Sequence, residues 1–160
     1  MATVTGDTLP PLLMERLGGP AFAKAAAGKP ALHESTAIPI CTIDPDGLPH
    51  PAMLSYAELA ADDERSMRAA VYGSSSTARH LRRQGRIALL FVDAEGTYYV
   101  KATVTGPDTP HPTAPGVTVF PLAVVAVLAD AVDTSREPAA AITSGIVFRR
   151  SPGSAPGTRL

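Results

Sequence analysis

The chain predicts a mainly β fold, a small antiparallel barrel with a few short helices, on three observations. Short apolar runs rich in β-branched residues recur from Ile38 onward, Gly- and Pro-bearing turn signatures separate them, and helical spacing shows only in brief pieces. With 160 residues and 45% apolar content, the chain buries one core and hardly two. One barrel domain, 37–150, is therefore expected between an N-terminal helical arm, 1–36, and a disordered Pro- and Gly-rich tail, 151–160.

Taken in order, residues 9–27 read as two helical pieces, LLMERL and AFAKAAA, because Gly18-Gly19-Pro20 would break a continuous helix. From Ile38 the periodicity turns to β. Residues 38–43 and 48–57 form a hairpin across Asp44-Pro45-Asp46-Gly47, where Pro presets φ and Gly takes the left-handed position. After an acidic bend at 58–64 come the strand 67–72, a short helix, the strand 86–92, a turn at Asp93-Ala94-Glu95-Gly96 and the strand 97–105. Residues 107–116 hold four prolines and read as a stiff, exposed loop. The valine-rich run 117–129 reads as a strand buried on both faces, and a last apolar run spans 139–148. Six antiparallel strands with little helix are closed most economically into a barrel, which removes exposed edges.

Charge and composition exclude several functions. A net charge of −1 and a pI near 6.4 give no field for nucleic acid. The run 117–129 falls short of the ~20 apolar residues that span a bilayer, and the N-terminus shows no signal-peptide pattern. Cys41 is the lone cysteine, expected to be a buried, inert thiol with no intrachain disulfide. The expectation is a cytoplasmic protein that contacts neither membrane nor nucleic acid.

The chemistry concentrates at Gly73-Ser74-Ser75-Ser76-Thr77-Ala78-Arg79-His80-Leu81-Arg82-Arg83-Gln84-Gly85. Four hydroxyl residues lead from a strand into a helix that begins near Ser75 and stops at Gly85. A helix start leaves N–H groups unpaired and carries partial positive charge, so phosphate can settle there. Ser and Thr are equally the best N-caps, and the sequence leaves both readings open. Arg79, Arg82, Arg83 and Arg86 fall within eight positions, as a solvated face or as partners for phosphate or a carboxylate. His33, His50, His80 and His111 are scattered without metal-ligand pairing, and no G-x-S-x-G, G-x-G-x-x-G or Walker motif occurs.

Three motifs then fall in order. Asp44, Gly47 and Pro49 match a "D-x-x-G-x-P" hairpin; Ser75, Thr77, Ala78 and Leu81 match "S-x-T-A-x-N-L"; Arg86, Ile87, Ala88 and Leu89 match "R-[IV]-A-L". Over 38–106 the chain resembles the pyridoxamine 5′-phosphate oxidase-like, FMN-binding split-barrel superfamily. The resemblance implies a six-stranded split barrel and a homodimer that holds FMN, or a deazaflavin, in a cleft between subunits. It implies that Ser74, Ser75, Ser76 and Thr77 meet the phosphate, with Arg79 and Arg83 as its cations. Met53, Leu54 and Ser55 would line the ring through backbone groups, with Tyr72 beside them. Catalytic side chains and the small-molecule substrate are not assigned.

The chain departs from the family at Ala52 and Ala57, where the oxidases carry an Arg and a Lys that clamp the phosphate, and at Ser76 and Thr77, where they carry basic residues. True pyridoxamine phosphate oxidase activity is not expected, and Arg79, Arg83 or Lys101 would have to compensate. The resemblance implies a flavin-dependent oxidoreductase. The alternatives are a non-catalytic split-barrel dimer without cofactor, or a haem-binding member using one of the histidines.

Overall fold

The computed structural model describes residues 2–18, 36–131 and 141–148. The helical piece expected at 21–27, His33 and the tail 151–160 lie outside the described residues. In chain order the elements are β1 (Ala2–Gly6), α1 (Pro11–Leu17), β2 (Thr36–Ile43), β3 (Pro49–Ser55), a 3-10 turn (Tyr56–Glu58), β4 (Leu59–Ala61), β5 (Ser66–Tyr72), α2 (Ser76–Gln84), β6 (Arg86–Asp93), β7 (Gly96–Val104), β8 (Thr109–Pro110), β9 (Val117–Asp130) and β10 (Ile146–Val147).

The strands pair antiparallel along the path β3-β2-β6-β7-β9-β5-β4. Its two ends, β3 and β4, are joined by only the three residues of the 3-10 turn. A flat sheet could not bring them together, so the sheet curls into an incompletely closed barrel, as the split-barrel reading expects. Within it, residues aligned across four strands share a face. Ile40, Leu89, Val100 and Val127 form one inward row, and Thr42, Ile87, Ala102 and Val124 the next; all eight are buried. Phe91, Phe120, Met67 and Leu122 fill the same core.

The two helices among the described residues pack on the barrel. Ala78 and Leu81 of α2 are fully buried in the core. Leu13, Met14 and Leu17 of α1 join it too, and α1 packs on β4. Pro11 begins α1 where its missing N–H costs nothing. Arg16 anchors α1 to the β6–β7 turn, pairing with Asp93 and, at 2.9 Å, with Glu95, and donating to Tyr56 Oη at 3.2 Å. Burial works against the Arg16 charge, yet the Asp93 hydrogen bond and Tyr56 hold its pKa above the ordinary value. Burial pushes the Tyr56 hydroxyl up, against the opposing pull of Arg16.

The structure adds strands to the sequence reading: β4, β1 and, within the stretch 107–116 read as a stiff loop, β8, whose two residues pair with β9. β4 lies within the stretch read as an acidic bend, where Leu59, Ala60 and Ala61 are buried against β5. Three residues are too few to display alternation. β1 pairs with the far half of β9, which is long enough to carry both β5 and β1 on one edge. Cys41 is half-buried rather than buried, because its row, Cys41-Ala88-Lys101-Ala126, faces outward. Among the described residues no helix is long and apolar enough to cross a membrane.

Candidate functional site

The hydroxyl turn is built as its residues dictate. Ser75 is the N-cap of α2, extended at φ −69 and ψ 160, and its Oγ accepts the Ala78 N–H at 3.1 Å. Gly85 ends the helix at φ 62, returning its N–H to the Leu81 carbonyl at 2.9 Å. The capping reading of Ser75 therefore holds. It leaves the N–H groups of Ser76 and Thr77, first in the helix, without intrahelical partners. Arg79 folds back over them: Nη1 donates to the Ser74 carbonyl at 2.9 Å and Nη2 to Ser76 Oγ at 2.8 Å. Ser76 accepts that bond, so its own hydroxyl proton stays available to a ligand. Thr77 is buried. The turn is a concentration of donors with a guanidinium fixed above it and, among the described residues, no carboxylate paired to that guanidinium.

The other predicted cations go elsewhere. Arg83 lies near the opposite end of α2, about 12 Å along the axis from Ser75, and lines a cavity of about 370 Å3 with Gln84, Gly106 and Pro107. Lys101 stands on the outer face of β7. Arg82, which the sequence did not single out as a cofactor ligand, reaches back to the Gly73 carbonyl at 2.8 Å and grips Asp108 through Nε and Nη2 at 3.2 and 2.6 Å. Those bonds, with the Thr118 hydroxyl at 2.7 Å, hold the Asp108 carboxyl down at about 2. Arg82 is thus spent on fixing the turn to the proline-rich loop.

β3 supplies the second half of the predicted site. Asp44 donates its N–H to the Leu48 carbonyl at 2.9 Å, closing the hairpin. Antiparallel ladders alternate from such a pair, so residues 50, 52 and 54 bond to β2 while 49, 51, 53 and 55 turn their backbone groups to the other edge. Pro49 and Pro51 have no N–H, and the Ser55 N–H is taken by Glu58 Oε2 at 2.7 Å. Met53 therefore offers the single available N–H along that edge. Its side chain is 58% exposed, and Tyr72, at the end of β5 beside the hydroxyl turn, is 68% exposed. Leu54 is buried in the core, and the Ser55 hydroxyl, also buried, donates to Glu58 at 2.8 Å, so neither side chain is exposed. β2 links the two halves, pairing with β3 and packing against α2.

Beneath α2 lies a polar contact that the sequence did not reveal. His80 is buried with Nδ1 3.1 Å from Thr42 Oγ1, and the His50 ring meets it edge-on at 4.7 Å between centroids. His80 stands on the buried face of α2, between Thr77 and Leu81, which is the one signal that could have placed it inward. Buried His111 accepts the Thr113 N–H on Nδ1 at 3.2 Å. Among the described residues no three His, Cys, Asp or Glu side chains gather at a metal-sized site.

The profile of a family described as pyridoxamine 5′-phosphate oxidase matches residues 25–134. A provisional pyridoxamine 5′-phosphate oxidase of Lactobacillus delbrueckii superposes with a TM-score of 0.57 at 14% identity, over 79% of this chain and 98% of that one. An FMN-binding protein of Syntrophomonas wolfei gives 0.50 at 15% identity, over 62% and 80%. Both likenesses show the fold. No curated protein matches.

Proposed function

The chain belongs to the pyridoxamine 5′-phosphate oxidase family, and from that premise we propose that it is a flavin-dependent oxidoreductase binding FMN, with a deazaflavin as the alternative. The observation that carries this reading is the pairing of an anion-ready helix start with a strand edge reduced to one N–H. Ser76 and Thr77 N–H, the Ser74 and Ser76 hydroxyls and the Arg79 guanidinium would hold the phosphate. The Met53 N–H would orient the ring, with Tyr72 flanking it. The flavin, when bound, supplies hydride transfer, and the residues of the chain bind it and exclude water from it.

The residues fit an FMN phosphate with fewer cations than the oxidases use. Ala52 packs against the core and Ala57 carries no charge, so the load falls on Arg79. A homodimer belongs to this reading, since a cleft between copies would cover Met53, Tyr72 and the ring together. The absence of a clamp at Ala52 and Ala57 favours a second reading, a dimer of the same fold that binds no cofactor.

Titration of the purified chain with FMN, riboflavin and a deazaflavin, followed by visible absorption, separates the two. Saturable binding of FMN at micromolar concentration, tighter than riboflavin, is expected. Binding of none of the three at that concentration, roughly −8 kcal/mol of affinity, would leave the cofactor-free dimer as the account of this fold.

A further inference from the structure

The proline-rich segment between β7 and β9 holds the hydroxyl turn at two points. The Gly116 carbonyl accepts the Gly73 N–H at 2.8 Å, and Arg82, gripped by Asp108, donates from Nη1 to the Gly73 carbonyl at 2.8 Å. The segment is itself fastened to β9. Thr109 and Pro110 pair with Val119 and Thr118, and the Thr118 hydroxyl reaches Asp108 Oδ2 at 2.7 Å and the Thr109 carbonyl at 3.1 Å. The Arg82 guanidinium also lies 5.8 Å from the centroid of the buried Phe120 ring on β9, within cation–π range.

The Gly73 carbonyl and the Ser74 N–H belong to one trans peptide group and so point in opposite directions. Holding the carbonyl on Arg82 therefore fixes where the Ser74 N–H points. Ser74 is exposed, and among the described residues its N–H has no hydrogen-bond partner. Gly73 by itself would do little to resist rotation of that peptide. The contact between Arg82 and Asp108 supplies the resistance: it is bidentate, through Nε and Nη2, which sets the plane of the guanidinium and leaves Nη1 directed at Gly73.

We infer that Asp108 is a positioning residue for the cofactor phosphate: acting through Arg82, it aims the Ser74 N–H, which joins the N–H groups of Ser76 and Thr77 as a phosphate donor. The inference rests on the phosphate site proposed above and carries its control into the proline-rich segment. Arg82 is not itself a phosphate cation in this arrangement, because its charge is paired with Asp108. The two roles have opposite consequences. Removing Asp108 loosens the phosphate if the pair aims the turn, and tightens it if Asp108 merely withholds a cation.

Amide-resolved NMR of the full chain titrated with inorganic phosphate tests it, with FMN and riboflavin titrated in parallel by visible absorption. In the parent, phosphate should shift the Ser74, Ser76 and Thr77 amide signals along one saturation curve. Asp108→Ala should weaken phosphate and FMN at least fivefold, leave riboflavin unchanged, and silence the Ser74 amide while those of Ser76 and Thr77 still respond. Arg82→Leu should give the same loss, and the double variant no more than either alone, since the two residues act as a unit. Should Asp108→Ala fail to fold, Asp108→Asn, of the same shape, gives the same comparison. Unchanged or tighter phosphate binding in the variant, an equal loss of riboflavin, additive losses, or a parent whose Ser74 amide ignores phosphate would overturn the inference. A parent that binds phosphate on these amides but not FMN would overturn the flavin reading instead, and leave Asp108 as the positioning residue of an anion site.

Discussion

Arg79 holds Ser76 across the turn that both residues belong to, Nη2 to Oγ at 2.8 Å, and the same guanidinium holds the Ser74 carbonyl. A cation is thereby fixed over the start of α2 with, among the described residues, no carboxylate paired to it. Charge-assisted hydrogen bonds contribute about 1.5–3 kcal/mol each. Arg79→Leu should therefore weaken FMN by roughly tenfold or more while leaving riboflavin, which lacks the phosphate, nearly unchanged. Parallel titrations with the two flavins measure the difference, and equal losses would remove Arg79 from the phosphate site.

Ser75 allows a charge to be added without loss of the helix. Its Oγ is the N-cap of α2, and Asp caps as well as Ser does. Ser75→Asp should fold with unchanged thermal stability yet lose FMN, because a carboxylate then faces the phosphate. Ser75→Ala should do the reverse, losing about 1 kcal/mol of stability with the cap and retaining most of its FMN affinity. Thermal melts beside flavin titrations distinguish the pair.

Met53→Pro extends a pattern already present in β3, where Pro49 and Pro51 occupy the outward positions. The substitution deletes the last available N–H of that edge and spares the ladder to β2. The expected result is a folded protein whose flavin affinity drops by about 1 kcal/mol or more, the net worth of a hydrogen bond, for FMN and riboflavin alike. Ala52→Pro, at an inward position, should instead destabilise the fold by about 3 kcal/mol. Circular dichroism and flavin binding check both.

Asp108 sets an acid limb to stability. Its carboxyl is lowered from 3.8 to about 2 by Arg82 and Thr118, so the folded chain binds its proton less readily than the unfolded chain. The contribution is complete above about pH 4 and is lost as pH falls through the folded value, near 2. Arg82 is 42% exposed, so water weakens the pair and Asp108→Asn should cost only about 1 kcal/mol at neutral pH. The gap between parent and variant should close between pH 4 and pH 2 in denaturant titrations; a gap independent of pH would show that the pair is not its source.

Much of this protein was legible before folding. The hairpin at Asp44 to Leu48, the strands at 67–72, 86–92 and 97–105, the helix from Ser75 to its stop at Gly85, and the long valine-rich strand all rest on local chemistry, and the structure contains each of them. Turn residues, caps and alternation act between neighbours in sequence, so their outcome is written there. β4 and β1 were not legible, because three buried residues and an exposed five-residue strand take their conformation from the partner strands they pair with.

The candidate site divides along the same line. Sequence by itself determined that four hydroxyls would lead from a strand into a helix and that Ser75 could cap it, since a cap reaches only three residues. Tertiary structure alone decided that Arg79 would lie over the turn, that Arg82 would be spent on Asp108, and that Arg83 would stand at the far end of α2. It likewise turned Met53 into the one available donor on the β3 edge. The physical reason is that side-chain partners and strand edges depend on which distant segments the barrel brings together, and closure of the sheet, not any local preference, makes that choice.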